Sequence, residues 1–385
     1  MKTTLFLSSL LAACVACVAQ ANDSIYKGEY IEGNHETNAI SFGPGAEATV
    51  TGELSINTTK SSSNIVLYST LKAGSISYNC QSPFDNGKKF LVWGSKVETE
   101  SFKATADEKT PAEILFMDST LTSSNEGTTG SFEIGANTTG NVVGATQVST
   151  IGLNTTVNGG NLNVWGNVAM NGIILNSGAV NVINKANSDY ETSKIDSAIN
   201  LGDITVENGT LILEEAAITS DITMNSGTLQ FLGDCQTGEL ILNGGTIYFG
   251  ENAVTLDVEG LASTVTTVTT GAMTLNSGTI YVADNYVIDL RGEDLTLTEK
   301  VNIVMSVDSL DNAEGLTIFE AVGNEVEGLD KLSVTLVDST GAEKEMAVSY
   351  SSDGSVVTTT TVPEPTTATL SLLALAALAA RRSRK

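Results

Sequence analysis

One short pattern recurs through the middle of the chain at a near-fixed interval, and that interval limits what the chain can fold into. Asn158-Gly159-Gly160-Asn161-Leu162-Asn163-Val164 returns as Asn176-Ser177-Gly178-Ala179-Val180-Asn181-Val182 and as Asn225-Ser226-Gly227-Thr228-Leu229-Gln230-Phe231. It returns again as Asn243-Gly244-Gly245-Thr246-Ile247-Tyr248-Phe249 and Asn276-Ser277-Gly278-Thr279-Ile280-Tyr281-Val282, with a variant at Glu207-Asn208-Gly209-Thr210-Leu211-Ile212-Leu213. The third-position glycines lie 18, 31, 18, 18 and 33 residues apart. Eighteen is the unit, and the two long gaps read as insertions, one holding the polar stretch Asn184 to Asn200. Self-similarity at such a period is the signature of a stacked array.

Each copy is a turn followed by alternation. Asn and Gly tolerate positive φ and close a tight corner, after which Leu, Val, Ile and Phe fall on one face at period two. A second short strand precedes most corners, as in Ile173-Ile174-Leu175, Ile222-Thr223-Met224, Leu240-Ile241-Leu242 and Met273-Thr274-Leu275. Eighteen residues cannot bury an apolar face alone, but they can do so against like neighbours. The expected fold is therefore all-β: a right-handed parallel β-helix (β-solenoid) with terminal β caps. An antiparallel fold with many Asn-Gly hairpins competes with it, and equal spacing favours stacking. The pattern resembles the passenger β-helices of autotransporter-type surface proteins, whose weak repeats also read Asn-x-Gly-Thr-Φ-x-Φ. That resemblance covers roughly Thr150 to Asp284 and implies a structural or adhesive body. Were all of Asn22 to Thr361 coiled at 18 residues per turn, a rod of roughly 90 Å would result at about 4.8 Å per strand.

Around the repeat region, 150–284, the sequence divides less sharply. Residues 22–149 share its composition without a clean repeat and read as an irregular N-terminal β region, the first part of the same stack. Residues 285–350, with short strands such as Val301 to Val307 and Leu332 to Val337, read as a C-terminal β cap. Residues 351–361, rich in Ser and Thr, read as a flexible linker that could accept O-linked sugar.

Both ends carry targeting features. Lys2, an apolar core from Leu5 to Val18 and the small-x-small pattern Ala19-Gln20-Ala21 make residues 1–21 a signal peptide, with an N-terminal signal helix and cleavage before Asn22. Leu11-Ala12-Ala13-Cys14 is a rival within it, a lipobox that would make Cys14 the acylated first residue of a surface lipoprotein. At the far end, Val362-Pro363-Glu364-Pro365 precedes a small apolar run from Thr366 to Ala380 and the basic end Arg381-Arg382-Ser383-Arg384-Lys385. Fifteen residues of helix rise roughly 22 Å against about 30 Å of hydrocarbon, short for a permanent transmembrane helix. The basic cluster Arg381, Arg382, Arg384 and Lys385 acts as a stop on the cytoplasmic side. Residues 362–385 resemble the PEP-CTERM sorting signal. The resemblance implies Pro363, Glu364 and Pro365 as recognition positions for an exosortase. It further implies passage through the export machinery, a transient hold in the inner membrane, and delivery to the cell surface or the extracellular polysaccharide.

Charge and chemistry narrow the function. Of 19 Lys and Arg, Lys2 and the four terminal bases fall outside the mature body, leaving 14. Of 45 acids only Glu364 does, leaving 44, so the body is near minus 30. No Lys or Arg occurs between Lys109 and Lys185 or between Lys194 and Arg291. Such a chain lacks the basic patches that nucleic acid or an anionic membrane requires; extracellular polysaccharide or a host glycan suits it better. His35 is the sole histidine, so no two-His zinc site is expected, and no catalytic residue, metal or cofactor is assigned. Cys80 and Cys235 are the mature cysteines, either free or paired across a long separation. The reading is an exported, non-catalytic surface or matrix protein. Its alternative is a carbohydrate-active β-helix enzyme acting on acidic glycans, for which Asp203, Glu207, Asp221 and Asp234 would have to pair on neighbouring turns.

Overall fold

A computed structural model of the chain describes residues 30–37, 39–58, 64–80, 88–108, 111–125, 127–185, 199–250, 266–283, 286–312, 314–320, 322–323, 326–351 and 357–360. The expected signal peptide and sorting signal, with Ala19, Ala21, Cys14, Pro363, Glu364, Pro365 and the basic end, lie outside these residues. Among the described residues the fold is all-β, with two single 3-10 turns, Leu310–Asn312 and Leu329–Lys331, and no helix long and apolar enough to cross a membrane.

The strands fall into three columns of parallel pairing, which the chain visits in the same order again and again. In the first column Ile204–Val206, Ile222–Met224, Leu240–Leu242, Met273–Leu275 and Leu295–Leu297 pair in succession. Thr210–Glu214, Thr228–Leu232, Thr246–Phe249, Gly278–Val282 and Val301–Val307 form the second. The third is thinner: isolated bridges Ile199↔Ile218 and Ala217↔Gln236, then Cys235–Gln236, Thr266–Thr269, Tyr286–Asp289 and Thr317–Glu320. The alternation read from sequence is what faces inward. Leu211 and Leu213, Leu229 and Phe231, Ile247 and Phe249, Ile280 and Val282 are all buried, and Phe231 stacks on Phe249 with centroids 4.9 Å apart. Each such side chain contributes about 1.5–3 kcal/mol on burial, a gain available only when the rung above and below is in place.

The glycine of each Asn-x-Gly corner has a double requirement. Gly209, Gly227, Gly245 and Gly278 all have positive φ, between 83° and 129°. A Cβ on Gly227 would meet the carbonyl oxygen of Gly209 at 2.4 Å, and one on Gly245 that of Gly227 at 2.6 Å. The corners thus approach backbone to backbone, and no residue with a side chain fits. The asparagine at the same corner forms a rung-to-rung ladder. Asn225 Nδ2 donates to Glu207 Oε1 at 3.1 Å, Asn243 to Asn225 Oδ1 at 2.8 Å and Asn276 to Asn243 Oδ1 at 2.6 Å.

Residues 22–149 read as an irregular first part of the same stack, and from residue 30 onward they hold the same three columns. Ser75–Cys80 pairs with Ser101–Ala106, which pairs through Ser131–Ile134 onto Asn154–Val157. Asn64–Leu67, Lys88–Trp93, Ala112–Met117 and Thr138–Val143 continue the second column. The repeat is hidden because the intervals vary: 26 residues separate Ser69 from Ser95, and 24 separate Ser95 from Ser119. The core here is aromatic, with Phe102 in edge contact with Phe90, Phe116 and Phe132 at 5.4 to 5.7 Å.

The C-terminal division moves. Parallel pairing does not stop near residue 284; it runs to Leu332–Asp338. Only then does the chain reverse, Glu343–Tyr350 pairing antiparallel with Leu332–Asp338. The supposed linker supplies the last strand: Val357–Thr360 pairs antiparallel with Glu343–Tyr350 and Thr317–Glu320, burying Val357 and Thr359. Its Val-Thr-Thr-Thr run is β-branched and closes the end of the stack, protecting an edge that would otherwise invite another chain.

Candidate functional site

The acids weighed for a catalytic pair take structural posts. Asp203 and Asp221 immediately precede the paired strands Ile204–Val206 and Ile222–Met224, so they sit on neighbouring rungs, followed by Glu239 before Leu240–Leu242. Asp221 Oδ1, however, accepts the Glu239 amide at 2.8 Å. Glu207 is the acceptor end of the asparagine ladder, and Asp234 Oδ1 accepts the Thr267 amide at 3.0 Å. Among the described residues no cluster of His, Cys, Asp and Glu is arranged to hold a metal ion. Lys185, one of two lysines in the repeat region, is bound to Glu214 at 2.5 Å, which raises its pKa. Lys194 lies outside the described residues.

The remaining reactive groups are internal. Cys80 and Cys235 are both free and buried, and burial pushes the Cys235 thiol up to about 11. A thiol held protonated in that way is a poor nucleophile. His35 is half-buried in strand His35–Thr37, paired opposite Leu54, beside an apolar cavity of about 10 Å³ that holds no more than a water.

A surface groove emerges at the corner between the second and third columns in the N-terminal part. There the chain turns through positive φ on successive rungs, at Tyr68 (44°), Gly94 (56°) and Asp118 (48°). The Tyr68 amide donates to Trp93 O, the Gly94 amide to Met117 O and the Asp118 amide to Val143 O. One residue further along, serines form a buried ladder. The Ser69 amide donates to Ser95 Oγ at 3.1 Å, the Ser95 amide to Ser119 Oγ at 3.2 Å and the Ser119 amide to Ser149 Oγ at 3.2 Å. Ser95 Oγ in turn donates to the Val66 and Trp93 carbonyls, and Ser119 Oγ to those of Val92 and Met117.

Along this corner runs an open groove of about 360 Å³ crossing several rungs, from Glu47 through Tyr68, Thr70 and Lys96 to Thr120 and Gln147. Its far wall is fixed by Asp118, whose Oδ1 accepts the amides of Ala145, Thr146 and Gln147 at 2.8 to 3.1 Å while Oδ2 accepts the Thr146 hydroxyl at 2.7 Å. Lys96 and Lys72 both pair with Glu98, whose carboxyl the Lys96 ammonium holds below its usual range. Behind the groove a second apolar cluster, including Leu67, Leu91, Trp93 and Met117, buries the outer face of the second column. That is why Asn64–Leu67 is buried at four consecutive positions in place of alternation.

Sequence reasoning missed Tyr68 and the serine ladder. The signal was present: apolar runs ending in Tyr68-Ser69-Thr70, Gly94-Ser95-Lys96 and Asp118-Ser119-Thr120 are three copies of one corner. No family model, no curated protein and no solved structure matches this chain.

Proposed function

We propose that this is an exported, non-catalytic cell-surface or matrix protein, sorted by an exosortase through its PEP-CTERM-like end, with a right-handed parallel β-helix as its body. The reading is carried by the terminal order of Pro363-Glu364-Pro365, short apolar run and basic stop, set behind a long acidic β body and opposite a signal peptide. Pairing supports the β-helix: thirteen successive rungs of the first column lead from His35–Thr37 to Val326–Glu327, always parallel and always with the other two columns visited between. The right-handed sense follows from the strong preference of parallel crossover connections. At about 4.8 Å per rung the stack is roughly 60 Å long, shorter than a uniform 18-residue period implies, because the N-terminal units are longer.

The alternative of an enzyme on acidic glycans has the rung placement of Asp203 and Asp221 in its favour. Against it, Asp221 is engaged by a backbone amide, and neither residue lines the groove. An array of this kind presents surface rather than a reaction centre, which suits scaffolding or adhesion in a polysaccharide layer. The test is intact mass of the protein recovered from the surface and medium of its native host. A mass running from Asn22 to about Glu364, plus any glycan, is expected. Retention of Arg381 to Lys385 would make it a tail-anchored envelope protein, and acylation at Cys14 would make it a lipoprotein.

A further inference from the structure

We propose that the groove at the Tyr68 corner binds a neutral polysaccharide chain, with Tyr68 as the stacking platform; this rests on the surface-protein reading and names its binding site. Tyr68 is the anomaly that points there. At the same corner the next two rungs carry Gly94 and Asp118, residue types that tolerate positive φ, whereas Tyr68 holds φ 44° with a bulky aromatic side chain. A non-glycine, aromatic residue in the left-handed region is strained, and it persists only where its surroundings hold it there. The residue nevertheless remains 48% exposed.

Its position is enforced from behind. The ring lies so close over Gly94 that a Cβ there would be 2.4 Å from two ring carbons, and the Trp93 ring backs it at 5.9 Å, tilted by 38°. An aromatic ring packed on one side and open on the other, on the wall of a groove with polar lining, fits the apolar C–H face of a pyranose, while hydroxyl and amide groups take the sugar hydroxyls. Thr70, Thr120 and Gln147 supply such groups along the groove. Ser69 lines the groove but is only 7% exposed, and its hydroxyl is sealed beneath the surface, so the polar contacts fall to Thr70, Thr120 and Gln147.

Charge selects the class of sugar. Lys96 is committed to Glu98, the Asp118 carboxylate to the 145–147 amides, and Glu47 adds a negative charge at one end. With no guanidinium in the lining and a body near minus 30, uronate or sulfated chains are repelled, and an uncharged hexose polymer is the ligand that remains. Several rungs in line suit a chain of several sugars rather than one.

The experiment is affinity electrophoresis of the 22–361 body through gels containing dextran, starch, mixed-linkage β-glucan or yeast mannan, the native host's purified neutral polysaccharide, and polygalacturonate. Retardation by at least one neutral polymer is expected, with Trp93 fluorescence changing in parallel. The host's own polymer acting alone would place the ligand in the matrix, and retardation by the others would place it outside. Tyr68→Gly is expected to weaken binding at least ten-fold while keeping the circular dichroism, since glycine holds the same corner at Gly94. Ser69→Ala, which removes a hydroxyl sealed from the groove, should leave binding unchanged. No retardation by any neutral polymer, retardation by polygalacturonate alone, or undiminished binding by Tyr68→Gly would overturn the assignment. Because the body is used without its sorting signal, such a failure leaves the mass test of processing untouched.

Discussion

Between Asn161 and Val282 the rungs turn their first corner on Asn-x-Gly, or on its variant Glu207-Asn208-Gly209, whereas between Asn64 and Val143 the rungs are longer, their cores are filled by phenylalanine and their distinctive corner is serine. Both regions hold the same three parallel columns. The difference shows that the ladder tolerates varied unit length provided one corner per rung is locked, by close glycine backbones in one region and by buried Ser hydroxyls in the other. Insertions obey the same logic. Residues 186–198 and 251–265 both fall between the second and third columns, and pairing resumes in register beyond each of them.

Substitutions at the locks sharpen this contrast. The largest effect is expected in the phenylalanine core, where Phe102→Ala should cost about 4 kcal/mol in urea unfolding, since three edge-packed rings lose a partner. Gly227→Ala follows at about 3 kcal/mol, from positive φ combined with a 2.4 Å approach to Gly209 O. Gly43→Ala, with open space around its Cβ, should stay within about 0.5 kcal/mol and serves as its control. Ser95→Ala should cost about 2 kcal/mol, because it leaves the buried Ser69 amide without an acceptor. Asn225→Ala should cost about 1 kcal/mol, since its ladder is exposed and water replaces part of it. If Ser95→Ala proved harmless while Asn225→Ala unfolded the protein, the assignment of locks to regions would be reversed.

The smallest effect is a local one with pH. Glu100 accepts hydrogen bonds from the Ser123 and Ser124 hydroxyls, the Asn125 amide and Thr128, and these hold its pKa down to about 2 from 4.5. A depressed carboxyl lends its support above the ordinary value and loses it as pH falls through the folded one. Hydrogen-exchange protection of the Asn125 amide should therefore be intact at pH 5 and fade towards about pH 2. Loss already near neutrality would show that the carboxylate is not what orders the 123–128 loop.

How much was legible in the sequence follows from corner chemistry. Asn-x-Gly recurs at 18 residues, so the period-two alternation after each corner suffices to place the buried Leu229, Phe231, Ile247 and Phe249 on one face. The N-terminal rungs are obscured because their loops differ in length, although Ser69, Ser95, Ser119 and Ser149 mark the same corner. Within residues 351–361, read as a linker, Val357–Thr360 is a strand, since composition alone cannot separate a Ser/Thr-rich linker from a β-branched edge strand; the difference lies in partners distant in sequence, Thr317–Glu320 and Glu343–Tyr350. The Tyr68 corner is legible only beside its copies at Gly94-Ser95 and Asp118-Ser119, and nothing in composition marks the strained φ of Tyr68. The outer apolar cluster is equally hidden, for Ile65-Val66-Leu67 reads as well as a strand buried on one face as on both.

The claim that one parallel stack spans both regions is most directly tested by disulfide trapping in the N-terminal part, in a 22–361 chain with Cys80 and Cys235 changed to Ala. Ser77 and Lys103 are direct partners on adjacent rungs. Ser77→Cys with Lys103→Cys should oxidise rapidly to an intramolecular disulfide, while Ser75→Cys with Lys103→Cys, two residues out of register, should not. Rapid trapping of Ser77→Cys with Leu91→Cys instead, as an antiparallel hairpin turning at 81–87 would give, would contradict the account.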